Sequence, residues 1–200
     1  MILEPAYFDQ MYAESADPWG FTSRWYEKRK YALTLAMLPR ERYDDAFEPG
    51  CSIGVMTEQL ARRCARLLSC DIAPAAVKAA SARTASQPGV RVEQRVLPDD
   101  WPDGDFDLIV LSEFLYYFGG PDLQRVLDLA GAALRPGGTL IPVHWRHPVP
   151  EYPRSGDDVH DVLAGQDWLS RLAGHQEPDF IAEAYLKGPL ISVAQATGLT

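Results

Sequence analysis

A loop of small residues between two apolar segments is the part of the chain best suited to chemistry. Residues 47–54 read FEPGCSIG, and Asp71 follows twenty-one residues after Gly50, directly behind the apolar segment 67–70. This order predicts a strand, a tight turn, a helix and a second strand that ends on an acid. A carboxylate with two acceptor oxygens can bind both hydroxyls of a ribose. The sequence therefore predicts a site for a ribose-bearing cofactor.

The spacing of the glycines indicates which cofactor the loop binds. Dinucleotide-binding turns place glycines at positions i, i+2 and i+5, but these positions hold Gly50, Ser52 and Val55. An i, i+2, i+4 pattern preceded by an acid is instead met by Glu48, Gly50, Ser52 and Gly54. That pattern differs at one position from the signature of methyltransferases. The loop thus favours S-adenosylmethionine over NAD, with S-adenosylhomocysteine as the product.

Further cofactor contacts are expected just after each parallel strand, because ligands of open α/β sheets bind beyond the carboxyl ends of the strands. Small loop residues would let the backbone approach the methionine part of the cofactor. Val96 and Leu97 are expected to form an apolar wall for adenine. Residues 94–95 are Gln and Arg, so adenine recognition would use backbone groups, Asp99 or Asp100. The residues predicted from these patterns to hold the cofactor are Glu48, Gly50, Cys51, Ser52, Gly54, Asp71, Ile72, Val96, Leu97 and Ser112.

Polar residues follow the fourth and fifth predicted strands, where a second substrate would lie. Glu113 and Tyr116 come after the fourth strand, and His144 and His147 come after the fifth. A carboxylate, or a histidine with a pKa near 6.5, suits proton removal near neutral pH. These four residues are the candidates for catalysis. Glu113 is equally well interpreted as a helix cap or a supporting group.

Three of the four histidines fall within residues 144–160, and three interpretations of them stay open. They can bind the acceptor or transfer a proton, make structural hydrogen bonds, or bind a metal together with Asp157. The spacing of His144, His147 and His160 matches no familiar zinc pattern. No metal is therefore predicted.

Short apolar segments alternate with amphipathic ones from residue 43 onward. Strands are predicted at 43–48, 67–71, 90–94, 105–111 and 138–144, and helices near 54–64, 74–86, 121–134 and 157–172. This alternation is typical of βαβ units. Segments 180–186 and 190–194, on either side of a Lys-Gly-Pro sequence, are predicted to form an antiparallel hairpin. The expected fold is α/β: a Rossmann-like, seven-stranded, mostly parallel sheet with a C-terminal antiparallel hairpin and helices on both faces.

The first forty residues are rich in aromatic side chains and are predicted to form a helical lid. Residues 17–20 (DPWG) divide this region into two helices. The aromatic rings pack against the sheet, cover the cofactor, or do both. The basic-rich run 24–30 (RWYEKRK) is either a helix face or an anion or cofactor contact. The chain is expected to be one domain, with residues 1–40 as the cap and 41–200 as the core.

The composition limits the choice of partners. Nineteen Lys and Arg residues stand against 28 Asp and Glu, for a net charge of −9, which disfavours a polyanionic partner. The fourth strand is not followed by the Pro-Pro-aromatic motif of nucleic-acid amino-methyltransferases. Three cysteines without a C-x-x-C pair, no leader sequence and no long apolar run predict a cytoplasmic protein without a membrane partner. A small-molecule acceptor and a monomer or homodimer are expected.

Several motifs together resemble one family. Residues 8–12 (FDQMY), 17–21 (DPWGF), 24–27 (RWYE), 29–30 (RK), 47–54 and 112–117 (SEFLYY) are similar to the nodulation protein S type of class I S-adenosylmethionine-dependent methyltransferases. The resemblance covers almost the whole chain. It implies that the loop, Asp71, Trp19 and Arg24 hold the cofactor. Nodulation protein S methylates the free amine of a chitin-derived oligosaccharide, but residues 144–147 (HWRH) do not map onto that substrate, so the resemblance does not carry the acceptor over.

The predicted function is transfer of a methyl group from S-adenosylmethionine to a small-molecule amine, such as that of an amino sugar or oligosaccharide. Two alternatives stay open. One is an O-methyltransferase that acts on a small hydroxylated metabolite. The other is a non-catalytic protein that binds S-adenosylmethionine.

Overall fold

Seven strands form a single sheet in the computed structural model, which describes residues 3–200. The strands are β1 Tyr43–Pro49, β2 Cys64–Asp71, β3 Val90–Gln94, β4 Phe106–Ser112, β5 Leu134–Trp145, β6 Leu169–Gln176 and β7 Phe180–Lys187. Their order across the sheet is β3-β2-β1-β4-β5-β7-β6, with β1 to β5 parallel and β7 antiparallel to both neighbours. This confirms the predicted Rossmann-like class. The order reverses between β1 and β4, so a crevice opens at their carboxyl ends.

Helices connect the strands, and three of them have a proline in the first turn, where its missing N–H costs no hydrogen bond. The helices are α1 Pro5–Glu14, α2 Trp25–Ala36, α3 Val55–Leu60, α4 Pro74–Arg83, α5 Gly120–Ala133, α6 Gly156–Ala164 and α7 Val193–Ala196. Single 3₁₀ turns follow α3 at Ala61–Arg63 and β4 at Leu115–Tyr117. The two predicted N-terminal helices are thus present, separated by the turn at 17–20.

Strand β4 is the centre of the core and is buried on both faces. Ile109 and Leu111 pack with the apolar side of α5, whereas Leu108 and Val110 pack on the opposite face with residues of α2 and α3. This alternation is the two-residue period of a strand. It explains why residues 108–111 are continuously apolar, as expected of a strand covered by helices on both sides.

The C-terminal hairpin exists, but the prediction of its second strand was wrong. β7 pairs with β6, which precedes it, and not with residues 190–194. The predicted helix 157–172 ends at Ala164, and Gly165 closes it. β6 is an edge strand with no fully buried side chain, so its sequence lacks the apolar alternation that identifies a strand. Ser192 and Gln195 form a capping box that begins the short α7, and this S-x-x-Q signal was present in the sequence.

Smaller differences concern where elements begin and end. The predicted helix 54–64 is shorter, because β2 begins at Cys64 rather than at residue 67. β5 begins at Leu134 rather than at 138, with a register irregularity against the start of β4. Across the described part of the chain, no helix has both the length and the apolarity needed to cross a membrane.

Candidate functional site

A cavity of about 420 Å³ lies at the carboxyl ends of the parallel strands, beneath α1 and α2. β-strand ends and the loops after them contribute Gly50, Asp71, Glu113 and Trp145 to its wall. The two N-terminal helices contribute aromatic rings, one carboxylate and one ammonium group, from Tyr7, Phe8, Tyr12, Tyr26, Glu27 and Lys30. One cavity therefore joins the predicted cofactor loop to the segments after β4 and β5.

The cofactor loop has a backbone shape that requires small residues. Gly50 and Gly54 adopt left-handed conformations, with φ of 71° and 78°. A Cβ on Gly50 would lie 3.1 Å from the ring of Phe114, and one on Gly54 would lie 2.9 Å from Ala80 of α4. Ser52 also has a positive φ, of 50°. The loop backbone is thus kept close to the cavity.

Asp71 is buried at the end of β2 and fixes the same loop. Its Oδ2 accepts a hydrogen bond from the Ser52 N–H at 2.8 Å, and its Oδ1 accepts one from the Ala73 N–H at 3.0 Å. Burial raises the pKa of Asp71, and these backbone N–H groups oppose the rise. Each oxygen retains acceptor capacity beyond its backbone bond. The carboxylate is therefore placed to accept two ligand hydroxyls from the cavity.

Glu48 lies behind the loop instead of on the cavity wall. Its Oε2 accepts hydrogen bonds from the hydroxyls of Thr57 at 2.7 Å and Ser69 at 2.8 Å. Burial raises the pKa of Glu48 to about 7. Glu48 therefore ties β1 to α3 and β2, and the predicted direct cofactor contact is replaced by a supporting role.

Helix α1 is docked over the cofactor loop through Tyr12. The Tyr12 hydroxyl and Ser52 Oγ are 2.5 Å apart, and the Trp19 ring packs edge-on against Tyr12 with a centroid distance of 5.7 Å. Of the predicted cofactor residues, the cavity wall contains Trp19, Arg24, Gly50, Ser52, Asp71, Ile72 and Leu97. The structure does not bring to the wall Glu48, Cys51, Gly54, Val96 and Ser112. Val96 is exposed to solvent, so only Leu97 of the predicted apolar pair lines the cavity.

Glu113 is on the wall, and both of its carboxylate oxygens are already bonded. Oε1 accepts from Lys30 Nζ at 2.6 Å, while Oε2 accepts from the backbone N–H of Trp145 at 3.0 Å and from the Tyr116 hydroxyl. The residue has a φ of 52°, which is an uncommon backbone conformation for a residue other than glycine. Glu113 therefore joins β4, β5 and α2 at the cavity. Tyr116, also on the wall, shares this network.

Lys30 and Glu27 are site residues that the sequence did not single out. Lys30 is buried, with Nζ 3.0 Å from Glu27 Oε2 in addition to its bond with Glu113. Burial disfavours the ammonium charge, but the two carboxylates hold the pKa of Lys30 above its ordinary value. The i, i+3 spacing of an acid and a base in the run 24–30 was the available signal. The predictions for that run, a helix face or an anion or cofactor contact, did not include an ion pair between two of its own residues, Glu27 and Lys30.

The two histidines predicted to be catalytic lie away from the wall. His144 is fully buried, and its Nε2 accepts the N–H of Leu115 at 3.2 Å. Its Nδ1 lies 3.1 Å from Nε2 of His160, whose Nδ1 lies 2.6 Å from Glu183 Oε2. Burial, with His160 nearby, lowers the pKa of His144 well below its usual value. These contacts correct the catalytic assignment of His144, which instead supports the turn that carries Tyr116.

His147 is exposed, and its Nε2 is 2.8 Å from Asp179. The ring of Trp145 lines the cavity and contacts the ring of His147, with centroids 4.6 Å apart, whereas His147 is not on the wall. The catalytic assignment of His147 is therefore corrected too, because its exposed ring pairs with Asp179 and does not line the cavity. Arg146 pairs with Asp157 at 2.7 Å. Within residues 3–200, no group of three or more His, Cys, Asp or Glu side chains could hold a metal ion.

The strand order and the crevice define the class I S-adenosylmethionine-dependent methyltransferase fold. The chain belongs to the nodulation protein S family, whose sequence profile, "Nodulation protein S (NodS)", matches residues 9–149. Nodulation protein S of Rhizobium tropici is 32% identical over an alignment of 129 residues, covering 62% of this chain and 53% of the relative. A ubiquinone biosynthesis O-methyltransferase of Xanthomonas campestris pv. campestris (strain B100) is 32% identical over 164 residues, covering 78% of this chain and 63% of the relative. The chain thus spans somewhat over half the length of these curated relatives.

Solved structures share the fold. A candidate methyltransferase from Pseudomonas syringae is 47% identical, with a TM-score of 0.74, and covers 82% of this chain and 100% of that one. N-methyltransferase NodS from Bradyrhizobium japonicum WM9, in complex with S-adenosylhomocysteine, has a TM-score of 0.81 at 23% identity, and covers 90% of this chain and 98% of that one. At that identity the second likeness supports the fold alone.

Proposed function

We propose that this chain transfers a methyl group from S-adenosylmethionine to the amine of a small-molecule acceptor. The observation that carries the proposal is one cavity in which the Gly50 loop and Asp71 face the polar groups at the ends of β4 and β5. Donor and acceptor can therefore meet without leaving the crevice. Membership of the nodulation protein S family supports the choice of cofactor, and the Bradyrhizobium structure of the same fold holds S-adenosylhomocysteine.

The residues on the wall fit this cofactor. The backbone of Gly50, kept free of a Cβ, and Ser52 would face the methionine part, and Asp71 would accept the ribose hydroxyls. Ile72 and Leu97 offer apolar contact for adenine. Arg24, on the wall and exposed, is a cation available for the cofactor carboxylate. The cofactor supplies an activated methyl group, and the chain supplies its position.

The contribution of the protein is mainly orientation and exclusion of water. Holding two reactants in line can supply about 7–11 kcal/mol of a bimolecular barrier. Rings of Tyr116, Tyr117, Tyr152 and Trp145 line the acceptor side, and those of Tyr7, Phe8 and Tyr12 close it from α1. This apolar enclosure removes water from the reacting nitrogen.

Two observations favour an amine over a hydroxyl acceptor. A hydroxyl needs a strong, free base at the moment of transfer, whereas a neutral amine is already a nucleophile. Glu113 has both oxygens bonded, and His144 is outside the cavity with a lowered pKa. O-methylation, the activity named for the Xanthomonas relative, is the second candidate. Of the two predicted bases, neither Glu113 nor His144 is free to activate a hydroxyl.

The test is binding of S-adenosylhomocysteine by calorimetry, followed by transfer of radiolabelled methyl groups to amines, amino sugars and their alcohol or phenol counterparts. We expect micromolar-range cofactor binding and labelling of amines only. Labelling of the oxygen compounds alone would favour O-methylation. Tight binding with no labelling across the panel would favour a non-catalytic protein.

The finer predictions about the chain belong to the same proposal. We infer that residues 1–200 act as one methyltransferase domain with residues 1–40 as its cap, either as a monomer or as a homodimer. Cys51, Cys64 and Cys70 are free and buried, which supports a reducing, cytoplasmic location. The net charge of −9 supports a small-molecule acceptor over a nucleic acid.

A further inference from the structure

Two buried polar atoms on the cavity side of α2 have no hydrogen-bond partner among the described residues. They are Oε2 of Glu27 and the hydroxyl of Tyr26. Glu27 is only 6% exposed, and both residues contribute to the cavity wall. A buried acceptor without a donor costs roughly 1–3 kcal/mol. Such an atom beside a ligand cavity points to a ligand that supplies the missing donor.

The charges beside these atoms favour a cation as that ligand. The single ammonium of Lys30 faces two carboxylates, those of Glu27 and Glu113. Lys30 donates hydrogen bonds to Glu113 Oε1 and, at 3.3 Å, to Glu27 Oε1. It lies near Glu27 Oε2 but does not satisfy it. Among its buried groups the cluster therefore has one negative charge in surplus, with exposed Arg24 as the other cation that faces Glu27. Its one carboxylate oxygen without a hydrogen bond lies on Glu27.

The rings around the cluster suit an ammonium group as well. Lys30 Nζ lies 5.1 Å from the centre of the Tyr26 ring, so that ring already contacts one ammonium through its face. The Trp145 ring meets Tyr26 edge-on at 5.5 Å, and Tyr116 stacks on Tyr152 at 4.8 Å. Aromatic faces attract cations by about 0.5–2 kcal/mol, more when water is excluded. A hydroxyl would gain no comparable attraction.

We propose that Glu27 binds the ammonium form of the acceptor and takes its proton before methyl transfer, so that the acceptor is a small primary or secondary amine. This rests on the proposed function. Glu113 accepts from three donors, the Lys30 ammonium, the Trp145 N–H and the Tyr116 hydroxyl, so it holds Lys30 in place and does not act as the base. The unsatisfied Tyr26 hydroxyl is a second contact for the acceptor.

The step balances without another reactant. The N–H bond of the bound ammonium breaks, its proton forms an O–H bond with Glu27 Oε2, and a neutral amine remains. The nitrogen lone pair then forms a bond to the methyl carbon. The carbon–sulfur bond breaks with its electrons staying on sulfur, which gives S-adenosylhomocysteine and a methylammonium product. Glu27 loses its proton to water as the product leaves.

The first test measures binding to protein saturated with S-adenosylhomocysteine. The probes are benzylamine with benzyl alcohol, 2-phenylethylamine with 2-phenylethanol, and glucosamine with glucose. We expect at least one amine to bind about tenfold more tightly than its alcohol. Glu27→Gln should abolish that preference. Glu177→Gln is the control. It removes the carboxylate that pairs with Arg29, which lies on α2 like Glu27 but outside the cavity, and it should retain the preference for the amine.

The outcomes separate this inference from the function on which it rests. Failure to bind S-adenosylhomocysteine would contradict the cofactor assignment. Cofactor binding with no preference for any amine, or a preference that survives Glu27→Gln, would overturn the role of Glu27 alone. Thermal unfolding of each variant with the cofactor product bound shows whether the fold is retained. If Glu27→Gln does not fold, Tyr26→Phe is tested instead, and an unchanged amine preference in that variant would count against the site.

Proton acceptance has its own test in the pH dependence of turnover. The ionisable groups that face the Glu27 carboxylate are Lys30, Glu113, Arg24, Tyr26 and Tyr31. For an amine that is methylated, Glu27→Gln should lower kcat/KM about tenfold at neutral pH. The deficit should shrink by about pH 9.5, where more of the amine arrives neutral and needs no base. A deficit that is constant with pH would show that Glu27 only positions other groups.

Discussion

The ammonium of Lys30 lies 2.6 Å from the carboxylate of Glu113, and this contact joins α2 to the end of β4 across 83 residues of sequence. Both side chains are largely buried, at 3% and 16% exposure. The pair therefore fixes the N-terminal helices to the sheet at the point where the acceptor is expected to react.

Removal of Lys30 should destabilise the fold strongly. Lys30→Met leaves the carboxylates of Glu27 and Glu113 buried without their cation, which should lower the free energy of unfolding by about 3–5 kcal/mol. Denaturation in urea measures the change. Arg29→Met is the matched control on the same helix, because the Arg29 side chain is 40% exposed and its ion pair should contribute less than about 1 kcal/mol. Equal effects of the two substitutions would contradict the importance of the buried pair.

Asp71 should determine cofactor affinity. Asp71→Asn loses the charged acceptor for a ribose hydroxyl and weakens the bond with the Ser52 N–H, so S-adenosylhomocysteine should bind about tenfold to a hundredfold more weakly by calorimetry. Asp99→Asn is the control, because Asp99, one of the expected adenine contacts, is exposed, pairs with Arg125 and does not line the cavity. Unchanged affinity in Asp71→Asn would remove the basis of the cofactor assignment.

Glu48 should make stability fall as the pH rises toward neutrality. Its pKa is raised from 4.5 to about 7 by burial. Between these values the folded protein holds a proton that the unfolded chain has lost, so the free energy of unfolding decreases with rising pH, by up to about 3 kcal/mol for this group. Glu48→Gln removes the ionisation while an amide oxygen can still face Thr57 and Ser69. The stability of the variant relative to the natural chain should therefore be higher at pH 8 than at pH 4.5. Denaturant titrations of both proteins at both pH values measure this. A difference in stability between the variant and the natural chain that does not change with pH would contradict the raised pKa of Glu48.

His144 and His147 should respond differently to substitution. His144→Phe leaves the Leu115 N–H without its acceptor and disturbs the turn that carries Tyr116, so kcat should fall about tenfold while S-adenosylhomocysteine affinity is kept. The shape of the pH–rate profile should not change, because the pKa of His144 is held far below neutrality. His147→Ala, in an exposed position, should leave kcat within about twofold. Loss of an acidic limb from the profile of His144→Phe would restore the interpretation of that residue as a base.

Features encoded by neighbouring residues could be predicted from the sequence. The loop 47–54 and Asp71 follow from strand, turn and helix signals within about twenty-five residues. The buried β4 follows from its continuous apolar residues, and α5 from its proline start and apolar periodicity. These signals are local, and they placed the crevice at the correct edge of the sheet.

Features that depend on distant partners could not be predicted in the same way. Glu27 and Lys30 become site residues only because Glu113 lies beside them in the folded chain. His144 looked like a base because its type and strand-end position suit one, but its ring turns toward Leu115 and His160. The edge strand β6 has no fully buried side chain, so its sequence lacks apolar alternation. Its pairing with β7 is what identifies it as a strand. No single-residue pattern carries that information.

Helix α1 contributes three rings to the cavity, yet none of its described side chains is fully buried. A segment held by half-buried side chains can detach at a lower free-energy cost than the fully buried strands, so that the sheet stays intact. Because α1 contacts Ser52 in the cofactor loop and Tyr117 on the acceptor side, we expect the same detachment to open the route for the spent cofactor and for the methylated product of the proposed reaction. The frequency of that opening then sets an upper limit on the turnover rate, independent of how fast the methyl group moves.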